Sequence, residues 1–201
     1  MRMALQAGNR RRGFSLLELI IVTAILLTIS ALAVPNIVNV VASVRMRASI
    51  NTLSGLLQDC RMLAVKHNRL MSTHFTVLAN GPLAYIKTAS AASTAVDPTD
   101  QQVMLGAPVT KLTSLTGTGA PSLALDSTFL NFTPDYTHDP TFNSRGLPCF
   151  YDSSTGTCLA TGFVFYFTDV RALNQAGWAA VSISPAGRVK TWVWTGSTWS
   201  N

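Results

Sequence analysis

Glutamate is almost missing from this chain: of its nine acidic residues one is Glu, Glu18, and the rest are Asp. Charge of any kind is scarce, at 12% of residues against 48% hydrophobic, which excludes a disordered chain and is unusual for a soluble domain. Three Cys in 201 residues are too few for a disulfide-stapled miniprotein. There is no Gly-rich phosphate loop, no paired carboxylates on a recognisable strand or helix, and no Ser or Cys nucleophile with an assignable base. The expectation is therefore a protein that is not an enzyme and carries no cofactor and no metal.

What the chain does have is an excess of cations, 15 Lys and Arg for a formal charge of +6. Arg2, Arg10, Arg11 and Arg12 stand before a stretch in which, from Gly13 to residue 44, Glu18 is the only charged side chain. Residues 14–34 are 21 in number, enough to cross a hydrocarbon core of about 30 Å at about 1.5 Å per residue. The Arg cluster should remain cytoplasmic and the rest of the chain lie outside. A secretory signal peptide cut at Ala31-Leu32-Ala33, releasing a soluble protein from Val34, competes with a retained anchor. Glu18 decides against it. A carboxylate within an apolar span costs about 2.5 to 3.5 kcal/mol even on lenient scales, and a cleavable signal has no use for one.

The run Arg11-Arg12-Gly13-Phe14-Ser15-Leu16-Leu17-Glu18-Leu19 resembles the class III signal of type IV pilins and type II secretion pseudopilins. The resemblance implies cleavage of the Gly13-Phe14 bond by a prepilin peptidase that also methylates the new amino terminus of Phe14. It implies a retained Glu18 whose carboxylate neutralises the Phe14 ammonium of a neighbouring subunit during filament assembly. Pro35 falls where many pilins carry a helix-kinking proline; it lacks a backbone donor and is expected to bend or locally break the helix. The implied location is the bacterial inner membrane, single-pass, with a cytoplasmic N-terminus and a periplasmic head.

Beyond Pro35 a stripe of Met46, Ile50, Leu53, Leu57, Cys60, Ala64, His67 and Met71 recurs in steps of four and three, with Arg45, Arg47, Asp59, Arg61, Lys66 and Arg69 on other faces. This predicts an amphipathic helix continuous with the span, reaching Met71, with Cys60 and His67 as core residues. The periodicity then changes. Residues 73–78 and 83–88 predict a hairpin, 89–127 a long variable loop or weak strands, and 128–133, 162–168, 178–184 and 188–194 further strands. The fold class is α+β, pilin-like: a long N-terminal helix packed by its second half on an antiparallel sheet. The expected divisions are 1–13 leader, 14–34 transmembrane and filament-core helix, 35–72 amphipathic helix and 73–201 head.

In the head, Phe142-Asn143-Ser144-Arg145-Gly146-Leu147-Pro148 and Val181-Ser182-Ile183-Ser184-Pro185-Ala186-Gly187-Arg188-Val189-Lys190 resemble the paired Gly turns of the GspH/FimT branch. That branch implies a minor pseudopilin or minor pilin near a filament tip, with other pilin or pseudopilin subunits as partners. Some of its members bind DNA through a Gly-Arg-x-Arg motif; here Gly187-Arg188-Val189-Lys190 keeps the charge and loses the second bidentate fork. On a strand Arg188, Lys190, Trp192 and Trp194 share one face, two cations and two indoles suited to phosphate contact and base stacking, or an edge strand guarded by cations. Nucleic acid is thus a second candidate partner. Cys149 and Cys158 are expected to pair if the head lies outside the cytoplasm, leaving Cys60 as a buried thiol. Asp135, His138 and Asp139 beside two prolines suit Asx turns better than a metal loop.

The basic charge is unevenly spread. Removing the four leader Arg leaves 11 cations against nine acids; between residues 45 and 69 there are five cations and one acid, and from residue 70 onward six against seven. The excess belongs to the leader and the helix, and leaves Arg188 and Lys190 as the local basis for any nucleic-acid contact.

Overall fold

A computed structural model describes residues 14–90, 95–106, 109–112, 125, 127–170 and 176–201. Gly13 and the leader arginines lie outside the described residues, as do 91–94, 107–108, 113–124 and 126 of the expected loop at 89–127. The chain opens with α1, Leu16–His67, 52 residues and about 78 Å long at about 1.5 Å per residue. It ends four residues before Met71 because Asn68 adopts the left-handed conformation (φ 49°, ψ 45°) and closes the last turn with its own N–H. His67 is exposed and Met71 begins a strand, so the last two positions of the expected stripe are not helical core.

Among the described residues twelve strands follow. β1 (Met71–Leu78) and β2 (Gly81–Thr88) form a hairpin closed by Ala79 and Asn80, a turn two residues shorter than its apolar pattern predicts because β2 begins at Gly81 instead of Leu83. β3 (Gln102–Met104) pairs with β2, and β4 (Thr110–Leu112) comes next. Residues 128–133, expected as a strand, instead contribute to α2 (Ser127–Leu130), a single turn terminated by Asn131 at φ 60°. The remainder is β5 (Pro134–Asp135), β6 (Thr141–Phe142), β7 (Pro148–Asp152), β8 (Thr157–Ala160), β9 (Gly162–Val170), β10 (Ala176–Ile183), β11 (Val189–Trp194) and β12 (Trp199–Ser200).

Rather than one sheet there are two, each of six strands. The first runs β3-β2-β1-β6-β7-β8; the second runs β12-β11-β10-β9-β4, with β5 alongside β9 in the one parallel pairing among the described residues. Both sheets contact the second half of α1. The main core joins Met46, Ile50, Leu53, Leu57, Cys60 and Ala64 of α1 to Phe163, Phe165 and Phe167 of β9 and Val181 and Ile183 of β10. Alternate residues of the same strands point the other way. Val164, Tyr166, Ala180 and Trp192 join Leu125 and Trp199 in a second apolar cluster, covered in part by Leu130 and Tyr136. The second sheet is thus buried on both faces, which is why β9 reads Gly-Phe-Val-Phe-Tyr-Phe instead of alternating apolar with polar.

Candidate functional site

Phe14 is 83% exposed and precedes α1, whose N-cap Ser15 is extended (φ −72°, ψ 142°) and makes no side-chain cap hydrogen bond. The helical ladder starts with the Ser15 carbonyl accepting from the Leu19 N–H at 3.1 Å. Glu18 occupies the first helical turn, where a carboxylate is favoured by the unpaired N–H groups of the helix start. It is exposed, as are its apolar neighbours Leu16, Leu17, Leu19 and Ile20.

The helix behind it has the attributes a lipid or bundled environment demands. Its hydroxyls are satisfied internally: Thr23 and Thr28 donate to the Ile20 and Ile25 carbonyls at 3.0 and 2.8 Å, and Ser30 to the Leu26 carbonyl at 2.8 Å. α1 is the one helix among the described residues long and apolar enough to cross a membrane, and its most apolar stretch has none of its residues buried. Pro35 does not break it. The helix continues on both sides, and the cost is confined to the Ala31 carbonyl, which has no N–H four residues on.

In the head, the two Gly turns that carry the branch resemblance come together around one side chain, which their sequence separation conceals. Gly146 (φ 74°) and Gly187 (φ 79°) both require the left-handed region. Arg61 of α1 runs between them: its Nη1 donates to the Gly187 carbonyl at 3.1 Å, and a Cβ on Gly146 would stand 3.1 Å from its Nε. A Cβ on Gly187 would stand 2.9 Å from the Gly146 carbonyl oxygen. The glycines are therefore also close-approach residues, and Arg61 is the site residue that sequence reading overlooked.

Lys190, Trp192 and Trp194 project to one side of the second sheet, but that side is the second apolar cluster, while Arg188, just before β11, borders both that side and the groove beside α1. Trp192 is 8% exposed and donates its Nε1–H to Ser182 Oγ at 2.8 Å. Trp194 packs edge-on against Trp199 with centroids 5.4 Å apart, and Lys190 lies 5.3 Å over the Trp192 ring. Of the four, Arg188 alone is fully exposed. The expected stacking face is consumed by packing because Leu125, Leu130 and Tyr136 lie against it, a long-range event that strand alternation does not reveal.

The remaining candidate groups are engaged in structure. Cys149 and Cys158 are joined by a disulfide across the β7–β8 hairpin, their Cα atoms 5.4 Å apart. Burial pushes the Cys60 thiol up to about 12, against the lowering influence of the Thr73 hydroxyl, so it is inert at neutral pH; exposed His67 lies two helical turns away. Asp135 forms an Asx turn, its Oδ1 accepting from the Thr137 and His138 N–H groups at 2.9 and 3.1 Å. Burial pushes its carboxyl upward, but these bonds and His138 outweigh it and hold it below the usual range. Asp139 bridges His74 Nδ1 at 3.0 Å and Lys111 Nζ at 3.4 Å, and burial lowers the Lys111 ammonium against the pull of that carboxylate. Among the described residues no three His, Cys, Asp or Glu side chains gather into a metal-binding group.

No protein of curated function and no solved structure matches the chain. Residues 8–34 match the family model of the prokaryotic N-terminal methylation motif, which spans Gly13, Phe14, Glu18 and the apolar start of α1. The motif indicates a type IV pilin-like subunit and implies prepilin peptidase processing and assembly with other pilins, and the exposed apolar helix and α+β head are consistent with it.

Proposed function

We propose that this chain is a minor pseudopilin or minor pilin of the GspH/FimT type, a structural subunit of a secretion pseudopilus or a type IV pilus. The carrying observation is the first half of α1: directly behind the methylation motif it exposes Leu26, Leu27, Ile29 and Leu32 at 57 to 79%, apolar surface left uncovered by its own head. In the inner membrane that surface meets lipid; in a filament it meets the same helix of other subunits. Residues 1–13 are the leader removed between Gly13 and Phe14, 14–34 the span and filament core, 35–72 the packed helix with its turn, and 73–201 the periplasmic head. Glu18 supplies the carboxylate that pairs with the Phe14 ammonium of a neighbour, an interaction strengthened in a low-dielectric bundle.

Mass spectrometry of the chain recovered from membranes is expected to find N-methylated Phe14 as the first residue. A chain beginning at Val34, or one with Phe14 unmethylated, overturns the proposal. Glu18→Ala is expected to leave cleavage intact while excluding the variant from filaments; normal incorporation removes the role given to Glu18. A nucleic-acid receptor at a filament tip has weaker support, since Trp192 is spent on the core and Arg188 with Lys190 would have to hold phosphates without stacking.

A further inference from the structure

A groove of about 590 Å³ lies between α1 and the turn at Gly187. Its walls are cationic and its floor aliphatic: Arg61, Lys66 and Arg188 surround Met62 and Val65. The floor is open, with Met62 62% and Val65 51% exposed, whereas Leu57, Cys60 and Ala64 on the opposite face of the same turns are fully buried. No acid lines the groove, and among the described residues none of its three cations is in an ion pair. The nearest acid along the helix, Asp59, instead accepts from Gln101 Nε2 at 2.7 Å. Arg61 is held in place by the Gly187 carbonyl, so at least one cation is preorganised.

We propose that this groove docks an acidic, aliphatic segment of a partner protein, its carboxylates between Lys66 and Arg188 and its apolar side chains on Met62 and Val65. Three anionic chemistries could meet such cations, and two fit poorly. A lipid surface is out of reach, because Arg61 lies 27 residues beyond Val34, about 40 Å along the helix, several times the Debye length of about 8 Å. A nucleic-acid backbone would pair with the cations and leave the aliphatic floor wet. A peptide carrying both carboxylates and aliphatic side chains covers both parts, combining apolar burial with charge complementarity. Naming the partner as another filament subunit rests on the function proposed above; the chemistry of the groove does not.

The test is fluorescence anisotropy with the full chain in nanodiscs of zwitterionic lipid and labelled synthetic peptides. One peptide alternates Leu and Glu, a second replaces each Leu by Ser, and a third replaces each Glu by Gln. The first is expected to bind, and the other two at least about tenfold more weakly. Lys66→Glu with Arg188→Glu, and separately Met62→Ser, should each weaken the first peptide about tenfold, while Arg45→Glu outside the groove leaves it unchanged. These are exposed positions, and an unaltered thermal unfolding profile shows that the head is intact. No binding of the first peptide, equal binding of the Ser peptide, indifference to the charge reversal, or displacement of the peptide by a single-stranded oligonucleotide overturns the proposal. Failure of the Phe14 methylation test leaves this measurement standing, so the two readings fail separately.

Discussion

Residues 16–41 and 42–67 of α1 belong to one continuous helix and meet opposite fates. In the second half, Met46, Ile50, Leu53 and Leu57 are at most 2% exposed and form one wall of the core. In the first half Leu16, Ile25, Leu27 and Val34 are 53 to 75% exposed, although they are as apolar as the others. A buried aliphatic side chain contributes about 1.5 to 3 kcal/mol. That contribution is realised within the monomer from residue 42 onward and is still to be realised before it. The stability of the head therefore belongs to one half of the helix and the capacity for membrane or filament insertion to the other, and substitutions should separate the two.

Leu57→Ala should have the largest effect on the head, about 2 to 5 kcal/mol in denaturant unfolding, since Leu57 is fully buried in the main core. A loss under about 1 kcal/mol would break the comparison from the packed side. Gly187→Ala comes next, at about 1 to 3 kcal/mol, because it forces φ 79° on a residue whose Cβ meets the Gly146 carbonyl at 2.9 Å. Gly196→Ala shares a positive φ of 101° but has open space around its Cβ, so the difference between the two variants measures the close approach. Ile25→Ala should change head unfolding in detergent by less than about 0.5 kcal/mol. A larger loss there would mean that the first half of α1 is part of the folded head after all.

The same division explains what was legible in the sequence. Helical periodicity reported α1 because local spacing and burial coincide over six positions from Met46 to Ala64, and it failed at His67 and Met71 where Asn68 ends the helix by its conformation. The strands β9, β10 and β11 were readable within two residues because they are continuous and apolar. β7 and β8 were not: Pro148-Cys149-Phe150-Tyr151-Asp152 and Thr157-Cys158-Leu159-Ala160 lie on either side of a polar turn and resemble a disulfide-closed loop as much as a hairpin. Residues 128–133 had the β-branched and aromatic composition of a strand, but Asn131 at φ 60° closes a helical turn instead. At the candidate site, Gly13, Phe14 and Glu18 were legible because peptidase recognition is a matter of linear sequence. The burial of Trp192 and the meeting of Gly146, Gly187 and Arg61 were not, since they depend on contacts 126 residues apart, such as Arg61 with Gly187.

That last contact also has a mechanical meaning. A subunit drawn out of a bilayer by its neighbours is loaded along the axis of α1, while drag acts on the sheets. Aliphatic side chains in a smooth core resist separation well but resist sliding poorly. Arg61, passing between two turns and fastened to the Gly187 carbonyl, acts as a cleat set across the direction of pull. An axial slip of one helical turn, about 5.4 Å, would have to tear that fastening before the core could shear.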